Sequence, residues 1–292
     1  DSTAPAFNAN FPVDMGFFKR SQQSNSWRLS ARLIESSYLE MDNLNAASAE
    51  TDYVFDYNDG WNKQTGYANT EVSWMWKRHA GFDVVTYNGN GTIGRQMPHS
   101  LGVTPEMIWV KRRNANEHWY VYHKGVNGGT NPGDYMLYLN DNNPQIDHDQ
   151  AWNNSLPTST HFSLGNDTAV NSGGTTQYIA MLFASANDAD GNPISKVGSY
   201  TGNGSATSRT ITTGFQPRFL VLKNTQGYNN WFVLDTLRGW VSGIDQTLSF
   251  NSTNPNYGGE NVGHPVSTGF TLNNAIANFN ENGTTYIYYA HA

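Results

Sequence analysis

The sequence predicts an all-β protein: three tandem antiparallel β-sandwich repeats of jelly-roll or lectin-like type, the first of them shortened. Three observations carry this reading. The 292-residue chain holds 28 glycines and is 13% aromatic but only 14% charged, a mixture that suits short twisted strands joined by tight turns. Its apolar residues fall in short β-branched and aromatic blocks such as "EMIWVK", "WYVYH", "RFLVLK" and "YIYYA", separated by Asn-, Gly-, Pro- and Asp-rich breaks. One ordered set of landmarks then recurs along the chain, as in a repeat protein.

The two clearest copies fix the repeat. One runs from "FDVVTYNGNG" through "SLGVTPEMIWVKRRNANEHWYVYHK" to "QYIAMLFA", and the other from "SKVGSYTGNG" through "TTGFQPRFLVLKNTQGYNNWFVLD" to "TYIYYAHA". Tyr87 answers Tyr200, Pro105 answers Pro217, Lys111 answers Lys223, Trp119 answers Trp231 and Tyr178 answers Tyr286, at offsets of 108–113 residues. The first 80 residues keep Pro12, Lys19 and Trp27, with the same step of eight from Lys to Trp. There "YLEMDN" takes the place of "YLN", and "VSWMWKRH" that of the closing strand. This copy lacks the opening Tyr-x-Gly-Asn-Gly strand, so either an upstream segment supplies it or the terminal repeat is an adapted cap. The expected divisions are residues 1–80, 81–187, a turn-rich linker at 188–194, and 195–292. The best helical candidate, "SARLIESSYLEM", reads equally well as strand.

The paired glycines, Gly89 and Gly91 in "YNGNGT" and Gly202 and Gly204 in "YTGNGS", are not a P-loop, because no helix and no Lys-Ser/Thr follow. They read instead as a hairpin turn with positive φ at its Asn-Gly centre. The shared Lys19/Trp27, Lys111/Trp119 and Lys223/Trp231 pairs read as structure, with Trp anchoring the core and Lys capping a sheet edge. A platform for stacking sugar rings is the functional alternative. After the Trp, His123, Asp235 and Arg32 differ in type, which suggests rim positions free to vary.

Few other motifs suggest chemistry. Asp147, His148 and Asp149, with Asp141 and His161 nearby, offer metal-ligand types. Strand alternation would throw His148 to the opposite side from the two acids, so a solvated loop is the plainer reading. "NDADGN" and "DYNDG" lack the Glu that closes an EF-hand. No nucleophile elbow or zinc-protease helix is present, and no acid sits in a repeated context, so neither catalysis nor a cofactor is expected. Sequons at Asn90, Asn153, Asn166, Asn203, Asn251 and Asn282 are as many as the composition alone predicts. A formal charge of −7 with scattered Lys and Arg argues against nucleic acid as a partner. No apolar run suits a membrane span. The absence of Cys removes disulfides and thiolate sites. A start at Asp1 without a leader is expected of a fragment or processed product. Bulky aromatics in polar turns, namely Trp61, Trp152, Tyr228 and Trp240, are the candidate contact points for a ligand.

Taken together, "GFDVVTYNGNG", "SLGVTPEMIWVKRRN", "WYVYHK", "WNNSLPTSTHFSLG", "KVGSYTGNGS", "TYIYYAHA" and "SWRLSARLI" make the chain resemble a tandem β-repeat family. That family occurs in virion and tail-fibre proteins of tailed bacteriophages, notably marine and cyanobacterial ones. The resemblance spans nearly the whole chain. It implies a structural or adhesive part of a virion appendage, or an extracellular location. It also implies a homo-oligomer, with a trimer favoured, or association with other virion proteins, and recognition of host-surface glycan. A secreted or surface carbohydrate-binding module array or an extracellular filament subunit is the alternative, and a polysaccharide-degrading β-sandwich enzyme a third class.

Overall fold

The computed structural model describes residues 4–63, 71–243, 245–273 and 275–292. The chain adopts the expected all-β sandwich architecture, built from three large antiparallel sheets of five, six and seven strands. Each is organised around a lead strand: Met15–Arg20, Met107–Arg112 or Phe219–Asn224. On one side each lead strand pairs with a second strand: Arg28–Ala31, Tyr120–His123 or Phe232–Asp235. On its other side lies a closing strand: Glu71–Trp76, Gln177–Phe183 or Thr285–His291. The register is the same in all three, with Lys19 opposite Val72, Lys111 opposite Ile179 and Lys223 opposite Ile287. In the second and third sheets an opening strand, Phe82–Asn88 or Pro193–Thr201, pairs outside the closing strand.

The lead strands are apolar on both faces because each sheet is covered on both faces. Met15, Phe17, Met107, Trp109, Phe219 and Val221 point to one side and enter a single core shared by all three sheets. Ile108 and Val110 point the other way, into a core under the Arg95–Pro98/His161–Leu164 ribbon. Leu220 and Leu222 do the same beneath the Arg209–Thr212/Gly269–Leu272 ribbon. The sheets surround a common interior, and each adds a sandwich of its own outside. Gly16 occupies the position held by Ile108 and Leu220. A Cβ there would stand 2.5 Å from the Trp61 ring, so the indole fills the space that aliphatic side chains fill in the other sheets.

Two local expectations resolve into definite structure. "SARLIESSYLEM" forms a strand, a 3-10 turn at Arg32–Ile34 and the strand Ser37–Glu40. The turn-rich segment 188–194 forms a tight hairpin. Asp188 caps it by accepting from the Asp190 and Asn192 amides, and the following strand begins at Pro193.

The Gly-Asn-Gly turns differ from the expected hairpin. Gly91 (φ 70°) and Gly204 (φ 64°) have positive φ, but the Asn residues before them do not. Each turn follows an opening strand and docks against a buried asparagine carried by the loop before the closing strand. Asn171 accepts from the Asn90 amide at 3.1 Å and donates to Thr92 O at 3.0 Å. Asn280 does the same for the Asn203 amide and Ser205 O. Above each turn the paired tyrosines Tyr87/Tyr178 and Tyr200/Tyr286 stack with ring centres 5.1 and 5.0 Å apart.

Gly89 and Gly202 are needed for close approach rather than for φ: an added Cβ would lie 1.9 Å from Ser172 O or 2.0 Å from Glu281 O. Gly89→Ala should therefore cost about 3 kcal/mol, because backbone must move. Gly91→Ala, whose Cβ would meet only ordinary van der Waals contact with the Gly173 backbone at a left-handed φ, should cost about 1 kcal/mol. Urea denaturation of the two variants checks the order, and equal losses would contradict it.

Candidate functional site

The strongest convergence of named residues lies where each sheet meets the next. In every lead strand the lysine is the residue before the last, and the following loop returns the chain to a tryptophan just before the second strand. Lys111 Nζ donates to Glu117 O of its own loop at 2.5 Å and to Leu44 O of the first sheet's loop at 2.9 Å. Lys223 Nζ donates to its own Asn229 O at 2.5 Å and to Asn142 O from the second sheet at 3.0 Å. Lys19 closes the ring, donating to Asn25 O and, at 2.8 Å, to Thr253 O from the third sheet.

The tryptophans repeat this order. Trp119 Nε1 donates to Glu40 O at 2.9 Å, Trp231 Nε1 to Tyr138 O at 2.7 Å and Trp27 Nε1 to Ser249 O at 2.8 Å. Each Trp amide is in turn held by a side-chain oxygen of its own sheet: Asp42, Asn140 or Asn251. The result is a cyclic clasp, first sheet to third, second to first and third to second.

All three lysines and all three tryptophans are buried. The indole faces therefore pack in the shared core and offer no platform to a sugar ring, which decides between the two sequence readings. Burial penalises the charged ammonium. It lowers Lys19 and Lys111 to about 8 and Lys223 to about 7, while Asp42, Glu117 and Asp141 respectively pull the other way. With two carbonyls satisfied by each ammonium, these groups hold structure and are not free for chemistry.

The candidate contact aromatics divide sharply. Trp61, Trp152 and Trp240 are at most 2% exposed, which corrects the expectation that they face a ligand. Trp61 donates to Ser73 Oγ at 3.1 Å and stacks on Phe55. Trp152 donates to Tyr135 O and packs edge-on to Tyr122, and Trp240 lies against Phe270. In each case the indole buries too much apolar surface for a turn to leave it in water. Tyr228 alone of the four projects into solvent, at 74% exposure.

Two of the positions expected at a variable rim, His123 and Asp235, are interior, whereas Arg32 is half-exposed. His123 accepts from the Gly125 amide and contacts Tyr288 O across the sheet boundary, and burial lowers its pKa to about 4. Asp235 caps the Thr236–Arg238 turn and pairs with Arg238 at 2.5 Å. His148 pairs with Asp167 at 2.8 Å, apart from Asp147. Among the described residues, no three His, Asp or Glu side chains converge as metal ligands. Asp83, fully buried, is spent on the Val84 and Ser100 amides and on Arg78.

Four residues escaped the sequence reading although it contained their signal. Asn171 and Asn280 both open an Asn-x-x-Gly-Thr-Thr run, and Asn140 and Asn251 end the corresponding blocks "YLN" at 138–140 and "LSFN" at 248–251.

The fold and clasps define a class: an all-β protein in which three sheets close around one core through reciprocal edge contacts. Within it, the chain belongs to the family described as Domain of unknown function (DUF7483), whose profile matches residues 36–292 and so spans parts of all three sheets. No curated protein and no solved structure matches the chain.

The clasp has a titration signature. Its lysines bind fewer protons when folded than at the ordinary value of 10.5, so stability rises with pH from about 8 toward 10. Above that window the trend reverses, because tyrosines such as Tyr286 and Tyr288 are pushed up to about 12 by burial. Lys223→Met should cost about 2–3 kcal/mol by orphaning two carbonyls. It should also flatten the pH dependence between about pH 7 and 10. Urea midpoints across that range check both, and an unchanged pH dependence would contradict the burial of the ammonium.

Proposed function

We propose that this protein is a structural and adhesive module of a virion appendage such as a tail fibre, presenting a surface to host-cell glycan. The observation that carries the scaffold half is the ring of clasps, which commits the buried lysines and tryptophans to joining sheets. A rigid β-scaffold of this kind lets surface loops vary without disturbing the core.

The recognition half rests on the loops that surround the clasps. The Lys-to-Trp loops 20–26, 112–118 and 224–230 alternate with the loops 42–47, 140–145 and 250–256. Backbone hydrogen bonds such as Asn25 N to Thr253 O, Ala47 N to Arg113 O and Gln145 N to Thr225 O join them. These loops are rich in asparagine, as in "RNANEH", "NDNNPQ" and "NTQGYNN". Asn amides both donate and accept, matching sugar hydroxyls, and Tyr228 adds an exposed ring for the apolar face of a pyranose. Assembly into a homo-trimer or with other virion proteins would use surfaces outside the ring, whose contacts are already made within one chain.

Tyr228→Ala should weaken binding to the recognised surface polysaccharide about tenfold or more and leave the thermal midpoint unchanged. Binding of the purified protein to a panel of bacterial surface polysaccharides checks this. Binding that ignores Tyr228, or no binding across the panel, would remove the recognition role.

A further inference from the structure

The three sheets are alike except along one edge. In the second and third sheets an opening strand runs antiparallel along the outside of the closing strand. In the first sheet the closing strand Glu71–Trp76 is the last strand, and among the described residues nothing pairs with its outer edge. Each opening strand is also cradled by the preceding sheet. The Arg32–Ile34 turn packs against Phe82–Asn88. On Pro193–Thr201, a Cβ at Gly125 would fall 2.6 Å from Ser199 Cβ, and Ser195 Oγ donates to Ala184 O at 2.8 Å.

The third sheet presents the same cradle to the first, and there it is open. A cleft of about 360 Å3 runs along five consecutive residues, 72–76, of the closing strand. Its far wall includes Arg218, Leu237 and Ala292, which by their spacing from Trp231 and from the closing strand correspond to Glu106, Gly125 and Ala184. Leu237 is 79% exposed, against 43% for Leu33 at the matching position beside the opening strand Phe82–Asn88, and Gly125, beside Pro193–Thr201, is buried.

We infer that this edge is a docking site for an extended strand of a partner polypeptide, added antiparallel to Glu71–Trp76. Edge addition draws its affinity from backbone hydrogen bonds and its selectivity from pockets for alternate side chains. The partner strand is specified by the two strands that fill the equivalent places. Phe82 and Val84 in one, and Val197 in the other, enter the shared core, while Tyr87 and Tyr200 face the outer sandwich. The partner therefore carries apolar residues at alternate positions, lying beside Trp74 and Trp76. It gains no tyrosine stack, because Glu71, ion-paired with Lys63 at 2.5 Å, stands where Tyr178 and Tyr286 stand. Its grip lies toward the Trp76 end, beside Leu237. This site is independent of the glycan surface around Tyr228.

The test uses a fluorescein-labelled peptide of the second sheet's opening strand, FDVVTYNGNG, titrated against the whole chain and followed by anisotropy. Hydrogen exchange at residues 72–76 is measured alongside. The proposal expects saturable binding, slowed exchange at 72–76, and about tenfold weaker binding with Leu237→Lys. Leu237→Met should restore it and a scrambled peptide should not bind. No binding at millimolar peptide would overturn it, as would binding that leaves 72–76 exchange unchanged or ignores Leu237→Lys. Slowed exchange at 72–76 in a peptide-free dimer would make a second copy the occupant and overturn the assignment to a partner polypeptide.

Discussion

A lysine ammonium taken out of water must be given acceptors, and each sheet of this protein can supply only one of the two its own lysine uses. The other comes from the neighbouring sheet, for Lys19, Lys111 and Lys223 alike. Burying the charge without that second carbonyl would leave it poorly compensated, so folding of one sheet is tied to the presence of the next. The indole N–H of Trp27, Trp119 and Trp231 reaches the same neighbour and sets the direction of the ring.

The shared core follows from the same constraint. Once the sheets are held in a ring, their inner faces have only one another to pack against. Phe17, Trp76, Phe183, Phe219, Phe250 and Tyr289 meet there in stacked, tilted and edge-on pairs. Aromatic rings fill such an interior with few rotatable bonds and large buried area. The outer faces then need covers of their own, which the short ribbons and their loops provide. Each lead strand is thus a septum between two cores, and a stretch such as "RFLVLK" is apolar throughout because neither face meets water.

Much of this was legible in the chain. Strand blocks, turn-rich breaks and the Lys-to-Trp step marked the repeating pattern, and the glycines of "YNGNGT" and "YTGNGS" marked its turns. The relation between sheets was hidden, because a run apolar on both faces looks the same in a sandwich interior as between two cores. Trp61, Trp152 and Trp240 misled for a related reason. Their sequence neighbours are polar turn residues, but the cover over them comes from strands elsewhere in the chain, as Phe18 and Ser73 cover Trp61. Tyr228 sits in a similar setting without such a cover. His123 and Asp235 differ in type because each is committed to a different partner, His123 to Tyr288 O across a sheet boundary and Asp235 to Arg238 of its own turn, not because solvent leaves them free.

The most direct test of mutual dependence between the sheets is to express residues 188–292 alone and follow their unfolding by near-ultraviolet circular dichroism. The excised sheet would expose Val221, Val233 and Tyr289 to water and deprive Lys223 of Asn142 O. The account predicts no aromatic tertiary signal and no cooperative transition, whereas the whole chain melts in one step. A sharp, cooperative melt of the fragment, with native-like aromatic signal, would show that the sheet is an autonomous domain and that the ring only joins finished parts.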